Sequence, residues 1–168
     1  MEFRFRPIGV IRSPHTRAEE TPIQPQYAKG VRGRVEVLPE FQEGLSDIEG
    51  YSHICLIYVL DRADEAKLTV VPYVDDTPRG VFATRAPCRP NPIGVSVVRL
   101  LSRSGNVLEV EELDILDGTP LLDIKPYIER FGSHDSVRSG WQDEVDDATA
   151  RRRGSRQRGR SSQGRADD

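Results

Sequence analysis

Short segments in which apolar and polar residues alternate dominate this chain and limit what it can fold into. Seven of them, rich in Val, Ile, Tyr and Phe, cover residues 3–11, 33–38, 52–60, 68–74, 81–85, 94–101 and 107–115. Alternation with a period of two is typical of half-buried β-strands. Only Phe41–Gly50 has helical character, and Ser104, Gly105 and Asn106 predict a hairpin turn. The pattern therefore predicts an all-β protein, a barrel or a sandwich, rather than a parallel α/β sheet.

A proline-rich segment connects two of these predicted strands. FATRAPCRPNPIGVSV (Phe82–Val97) contains three prolines, and we call residues 84–92 the Pro-rich loop. Because each proline fixes its own φ and bars the preceding residue from the helical region, the backbone of this loop is largely decided in advance. Arg85, Arg89 and Asn91 are then presented rigidly, and their side chains suit carboxylate, phosphate or a base edge. The alternative is a connector whose arginines face solvent.

A second polar segment follows the last predicted strand. In LDGTPLLDIKPYI (Leu116–Ile128), Asp117 and Gly118 predict a turn, and two prolines stiffen the residues after it. An Asp-Gly turn alone usually indicates a hairpin and nothing more. Beside the Pro-rich loop, it indicates the second half of one polar site, with Thr119, Asp123 and Lys125 as further members.

These two segments resemble the signature blocks of the S-adenosylmethionine-dependent tRNA methyltransferase family known as TrmO, TsaA or YaeB-like. Three further segments agree with it: IGVIRSPH (8–15), TPIQPQ (21–26) and GYSHICLIYVLDR (50–62). The resemblance covers residues 6–129. It implies a compact β-barrel methyltransferase, unlike the Rossmann-type enzymes, that works as a homodimer. Its implied reaction is methylation of N6 of N6-threonylcarbamoyladenosine at position 37 of tRNA.

The resemblance also implies which residues contact the cofactor, S-adenosylmethionine. The matching positions here are Pro22, Ile23, Gln24, Asp61, Arg62, Arg85, Val95, Leu116, Asp117, Gly118 and Thr119. One position departs from the family pattern. Where the family commonly ends its apolar strand with an aromatic residue and a histidine, this chain has Leu60 and Asp61. A carboxylate at that position can still accept a hydrogen bond from a ribose hydroxyl.

The chemistry of methyl transfer suggests roles for the polar residues. Displacement at a sulfonium methyl depends chiefly on alignment, and removal of the proton from the acceptor nitrogen assists it. We predict that Asp117 accepts this proton, and that Arg85 or Arg89 stabilises developing negative charge or binds the threonyl carboxylate. Arg89, Asn91 and Lys125 are predicted to bind substrate. The alternative is a noncatalytic β-barrel RNA-binding or ligand-sensing module that has kept the fold.

Charge and composition set further limits. The chain is 36% hydrophobic and 30% charged, with a net charge of −3, which argues mildly against a simple nucleic-acid binder. Arg79, Arg85, Arg89 and Arg99 could still form a local positive patch for tRNA, or could each balance a neighbouring acid. Since no apolar run approaches the roughly 18 residues needed to span a bilayer, and MEFRFRP is no signal peptide, we predict a cytoplasmic protein without membrane contact.

The two cysteines are not arranged as a disulfide framework or a metal site. Cys55 lies in an apolar strand and is predicted to be a core residue, whereas Cys88 could line a pocket. No Cys or His spacing resembles a set of metal ligands, so no metal is predicted.

The composition changes after Phe131. Residues 133–168 contain no Leu, Ile or Phe, so they offer too little apolar surface to offset chain entropy. We predict a barrel domain over residues 1–131 and a disordered tail over residues 132–168. Arg151–Arg160 holds six arginines and could attract phosphates, or could serve only as a solubilising tail. Trp141 either docks on the domain or stays free.

Overall fold

A computed structural model describes residues 2–132 and 136–155, with side chains as far as Arg130 in the first range. Within these residues the strands are β1 (Gly9–Arg12), β2 (Arg32–Val37), β3 (His53–Val59), β4 (Thr69–Val70), β5 (Arg79–Gly80), β6 (Ile93–Ser104), β7 (Val107–Glu111) and β8 (Thr119–Pro126). The helices α1 (Glu129–Gly132) and α2 (Asp147–Gly154) follow them. None of the described helices is long and apolar enough to cross a membrane.

Six strands close into an antiparallel barrel in the order β1-β2-β7-β6-β3-β8, and β4 and β5 form a separate two-stranded sheet. Strands β6 and β7 form the predicted hairpin, with Ser104 opposite Val107 and Gly105 at a φ of 62°, a left-handed conformation that favours glycine. Closure leaves none of the six barrel strands with an unpaired edge. The prediction of an all-β barrel is therefore confirmed.

Alternating residues of the barrel strands fill its interior. In β3, Ile54, Leu56 and Tyr58 are buried, while the residues between them lie outside and are only partly covered. The other buried core side chains are Ile11, Val35, Val37, Leu45, Val98, Leu108, Val110, Leu113, Ile115 and Leu121. Full burial of one such aliphatic side chain contributes about 1.5–3 kcal/mol. The period-two pattern thus creates the core directly.

Short 3₁₀-helices occupy much of the remaining chain. They cover Ala18–Glu20, Pro25–Tyr27, Pro39–Leu45, Ile48–Gly50, Val81–Ala83 and Gly140–Glu144. Two of them replace the single helix expected over residues 41–50. The predicted strand over residues 81–85 is wrong, because Val81 begins a helical turn that Thr84 closes by donating its hydroxyl to the Val81 carbonyl at 2.9 Å.

Strand β8 was not among the predicted strands, and it contains two prolines, which are uncommon inside a sheet. The register explains how both are accommodated. Pro120 lies opposite Val10 of β1 and precedes Leu121, where pairing with β3 begins. Pro126 lies opposite Ile54 of β3 and follows Leu121, where pairing with β1 ends. Each proline therefore has a neighbouring strand on one side only.

Residues 138–155, which we call the C-terminal clasp, are ordered in the structure although the composition suggests a disordered tail. Asp146 caps α2 by accepting the Thr149 N–H at 2.8 Å. Gly154 packs against the ring of Tyr27, and its carbonyl accepts the N–H of Ile23 at 3.0 Å. Docking on the barrel domain supplies the contacts that this polar sequence lacks by itself. The predictions for residues 133–135 and 156–168 lie outside the described residues.

Candidate functional site

A cavity of about 840 Å³ lies at the end of the barrel where β3 ends and β6 and β8 begin. Its size is suited to a small organic ligand. Six separate parts of the chain line it: residues 21–27, the end of β3 with residues 60–63, residues 71–74, the Pro-rich loop with the start of β6, residues 114–119, and the clasp. Segments that are far apart in the sequence therefore form a single concave site.

Many of the residues expected to contact a cofactor line this cavity. They are Pro22, Ile23, Gln24, Asp61, Arg62, Arg85, Val95, Leu116 and Thr119. Arg85 extends from the Pro-rich loop and donates from Nη1 to Oε1 of Gln24 at 2.9 Å, joining two of the lining segments. The structure brings these residues together, and their roles stay predictions.

Arg62 and Thr119 join the end of β3 to the start of β8. Arg62 donates from Nη2 to the Thr119 hydroxyl at 2.9 Å, and that hydroxyl donates to the Leu116 carbonyl at 2.8 Å. The carboxylate of Asp61 lies 3.4 Å from Nε of Arg62. Asp61 remains 39% exposed, so its oxygens can still accept hydrogen bonds from a ligand.

Arg89 holds the Pro-rich loop in place. Its Nη1 donates to three carbonyls, those of Val81, Thr84 and Ala86, at 3.2, 2.8 and 3.3 Å. The side chain also lines the cavity and lies over the Phe82 ring at 6.0 Å. Arg89 therefore organises the loop that presents Arg85, whatever it does toward a ligand.

Removal of Arg89 should destabilise the fold. We expect Arg89→Ala to lower the free energy of unfolding by about 2 kcal/mol, because half-buried carbonyls lose a charged donor. Urea unfolding followed by circular dichroism measures this change. Arg34→Ala is the control, since the Arg34–Glu109 pair is exposed and should contribute less than about 1 kcal/mol. Equal effects of the two substitutions would contradict the structural role of Arg89.

Asp117 does not line the cavity, although we predicted that it accepts the proton. Its Oδ1 accepts the N–H of Ser13 at 3.1 Å, and its own N–H donates to the His15 carbonyl at 2.7 Å. Gly118 follows with a φ of 77° and donates its N–H to the Ile11 carbonyl at 2.8 Å. The Asp-Gly turn thus connects β8 to the segment after β1 and sets the direction of residues 114–119.

Three other polar residues also lie outside the cavity lining. Asn91 is exposed in the Pro-rich loop, Lys125 pairs with Asp123 at 2.8 Å on β8, and Cys88 is half-buried. The predicted positive patch also has fewer arginines than expected, because two of its four arginines are paired with acids. Arg79 pairs with Asp75 at 2.8 Å, and Arg99 pairs with Glu111 on the outer surface of the barrel. Of the four arginines, only Arg85 and Arg89 line the cavity.

The structure adds Asp114, which the sequence reasoning missed. Asp114 is half-buried in the cavity wall, where its Oδ1 accepts the Ser96 hydroxyl at 2.7 Å. The Tyr58 hydroxyl lies 3.0 Å from the same Ser96 oxygen. Because the single hydroxyl proton of Ser96 points to the carboxylate, Tyr58 must be the donor to Ser96. Burial raises the pKa of Asp114 to about 6, although the Ser96 hydrogen bond acts in the opposite direction.

The C-terminal clasp closes one side of the cavity. Trp141 and Gln142 are lining residues, and the indole Nε1 of Trp141 donates to the Ala83 carbonyl at 2.9 Å. The guanidinium of Arg79 lies 5.3 Å from the centre of a Trp141 ring. Farther along, Arg153 donates to both carboxylate oxygens of Asp76 at 3.0 and 3.1 Å. The clasp is thus attached to the barrel domain at Ala83, Arg79 and Asp76.

Together, the fold and the site define a closed β-barrel protein with a ligand-sized cavity. The family model described as "tRNA-methyltransferase O N-terminal domain" matches residues 10–133, so the chain belongs to this methyltransferase family. This is the family that the sequence motifs resemble, and that prediction is confirmed. The clasp follows the matched region.

Named relatives and solved structures agree with this assignment. A "Probable S-adenosyl-L-methionine-binding protein" of Pyrococcus abyssi is 58% identical over 82% of this chain and 74% of its own length. The "tRNA (adenine(37)-N6)-methyltransferase" of Escherichia coli is 36% identical over 75% of this chain and 58% of its own. A crystal structure of TrmO gives a TM-score of 0.71 at 42% identity, over 83% of this chain and 64% of that one. The chain thus spans less than two thirds of the last two proteins.

Proposed function

We propose that this chain transfers a methyl group from S-adenosylmethionine to N6 of threonylcarbamoyladenosine at position 37 of tRNA. The observation that carries the proposal is the convergence of residues 22–24, Asp61, Arg62, Arg85, Val95, Leu116 and Thr119 on one cavity. Membership in the TrmO N-terminal domain family supports it, as does the activity named for the E. coli relative.

The donor set of the cavity fits S-adenosylmethionine. Leu60, Val95 and Leu116 offer apolar surface for an adenine ring, and the half-exposed carboxylate of Asp61 can accept from ribose hydroxyls. The guanidinium of Arg85 suits the carboxylate of the methionine part or that of the threonyl group on the substrate. When bound, the cofactor supplies an electrophilic methyl group on a sulfonium.

The residues of this chain would act mainly by positioning. Proline restricts the backbone of the Pro-rich loop, and Arg89 ties that loop to the preceding helical turn through the Val81 carbonyl, so Arg85 is directed at the cavity before any ligand arrives. The Arg62–Thr119 bond fixes the opposite wall. Trp141 of the clasp supplies a further part of the wall and is held there by its bond to the Ala83 carbonyl.

Cofactor binding provides the first test. Calorimetry with S-adenosylmethionine should detect binding to the full chain, and Arg85→Ala should weaken it by about 2 kcal/mol, or roughly 30-fold. Arg34→Ala, which replaces an exposed arginine outside the cavity lining, is the matched control and should leave the affinity unchanged. Absence of binding heat at high micromolar cofactor would refute the proposal. An effect of Arg85→Ala below about 0.5 kcal/mol would show that Arg85 is a solvent-facing residue without a role in cofactor binding.

Nucleoside analysis tests the reaction itself. Mass spectrometry of tRNA from cells with and without this protein should show the methylated threonylcarbamoyl nucleoside only when the protein is present.

A second candidate function is a barrel that binds S-adenosylmethionine without acting on tRNA, and the name of the P. abyssi relative, which states binding alone, favours it. Binding heat together with unchanged tRNA nucleosides would decide for this candidate.

The proposal extends to a homodimer. Val71 and Tyr73 line the cavity and are 60% and 58% exposed, and Phe82 of the neighbouring helical turn is 75% exposed. Apolar side chains clustered at a cavity mouth are the kind of surface that a partner subunit covers. Light scattering during size-exclusion chromatography gives the mass in solution, and a monomer at micromolar concentration would argue against the dimer.

A further inference from the structure

We propose that Asp114 is the general base of the methyl transfer, and that Ser96 and Tyr58 hold its carboxylate in position. This inference rests on the proposed function. Asp114 lies in the connection between β7 and β8, Ser96 on β6 and Tyr58 on β3, so three parts of the barrel meet at one carboxylate in the cavity wall.

The direction of the hydrogen bonds suits a base. Tyr58 donates to Ser96 and Ser96 donates to Oδ1 of Asp114, so both hydroxyl protons support the ionised carboxylate. Asp114 lines the cavity, so its carboxylate can meet the N–H of an acceptor bound there. The titratable or charged groups that face Asp114 are the Tyr58 hydroxyl and the guanidinium of Arg85. Burial and the nearby Asp114 carboxylate raise the pKa of Tyr58 above its usual range, so Tyr58 remains a donor at neutral pH.

The basicity of the carboxylate also suits the task. A group with a pKa of about 6 is mostly ionised at neutral pH, and it binds a proton more strongly than an ordinary aspartate does. A general base works best when its pKa lies near the working pH. Asp117, whose Oδ1 is bonded to Ser13 and which lies outside the cavity lining, has no such arrangement.

Methyl transfer to the acceptor forms one bond, breaks another and releases one proton. The acceptor N6 forms a bond to the methyl carbon while the bond between that carbon and sulfur breaks. The electron pair of the broken bond stays on sulfur. The N6–H proton passes to a carboxylate oxygen of Asp114. The products are the thioether, the N-methylated nucleoside and a protonated Asp114, which then loses its proton to solvent. No oxidant or further reactant is required.

Asp114→Asn in the full chain tests the assignment. With tRNA that carries threonylcarbamoyladenosine, we expect kcat to fall at least 100-fold, because a positioned base contributes roughly that much or more. The dissociation constant of S-adenosylmethionine, measured by calorimetry, should change less than threefold. In the wild-type chain the rate should rise with pH up to about 6 and then level off, and this acid limb should be absent from the residual activity of Asp114→Asn.

Ser96→Ala provides a second readout. Loss of the Ser96 donor should move the acid limb of the rate profile to higher pH, and carboxyl-carbon NMR of the ligand-free chain should show the same rise in the Asp114 pKa. A kcat of Asp114→Asn within fivefold of wild type would overturn the inference. So would a tenfold or greater loss of cofactor affinity, which would make Asp114 a cofactor anchor. Failure of the proposed function is distinguishable, since the wild-type chain itself would then not methylate this tRNA.

Discussion

A single methyl group added at Gly94 should lower the free energy of unfolding by about 3 kcal/mol. A Cβ at this position would overlap three atoms of the Tyr58 ring, which lies directly opposite on β3. The ring is 6% exposed and its hydroxyl is hydrogen-bonded to Ser96, so a shift of the ring would disturb both the core packing and that bond. For a domain of this size, Gly94→Ala should therefore melt roughly 6–12 °C lower in a thermal scan followed by circular dichroism.

Gly44→Ala is the matched control for this experiment. No atom lies within 4 Å of a Cβ at Gly44, so that substitution should be neutral or slightly stabilising. Tyr58→Leu removes the ring that Gly94 accommodates, and in that background Gly94→Ala should cost much less. An unchanged cost in the Tyr58→Leu background would show that the clash with the ring is not the cause.

Asp114→Asn should stabilise the protein at pH 7 by about 3 kcal/mol, and the gain should vanish at pH 4. The pKa of this carboxyl is about 6 in the folded chain, whereas an unfolded aspartate titrates near 3.9. Between these values the folded state binds more protons, so stability falls as pH rises through this range. Above pH 6 the full cost of the buried charge is present, and the neutral asparagine avoids it. Urea unfolding at pH 4, 5, 6 and 7 measures the difference.

Asp75→Asn offers a control of opposite sign. The hydrogen bond from Arg79 lowers the pKa of Asp75, so its charge stabilises the folded state at neutral pH and that contribution disappears on acidification. Asp75→Asn should therefore destabilise the protein at pH 7. If Asp114→Asn shows a stability difference that does not vary with pH, or one of the same sign as Asp75→Asn, the account of Asp114 is wrong. A base that destabilises its own fold is a common compromise between activity and stability.

Much of the fold could be predicted because successive side chains of a strand point to opposite faces, so the local sequence shows which of them are buried. The alternation in β3 shows which side chains face inward, and the hairpin at Gly105 follows from turn chemistry. Closure of the barrel could not be derived from the same pattern, since it depends on the pairing of β1 with β8. Strand β8 was missed because a proline is tolerated in a strand where one side has no neighbouring strand, and the sequence does not show which positions those are.

The segments that form the site could be predicted from the sequence, but the roles of single residues within them could not. The Pro-rich loop, residues 22–24 and the start of β8 do meet at one cavity. Asp117 and Asp114 are only three positions apart, and composition does not reveal which of them faces a ligand. The positive φ of Gly118 and the bond from Ser13 turn Asp117 away from the cavity lining. Leu113 and Ile115 on either side of Asp114 are core residues, and strict alternation would place Asp114 on the outer face, so the apolar pattern offered no signal for its role.

The clasp gives the molecule a natural optical reporter. Trp141 is the only tryptophan in the sequence, and its indole lies in the cavity wall with Arg79 over one face. A ligand that fills the cavity changes the polarity around this one fluorophore, so ligand occupancy alters the intrinsic emission of the whole protein. Equilibrium titrations and stopped-flow kinetics can then be recorded on the unlabelled chain.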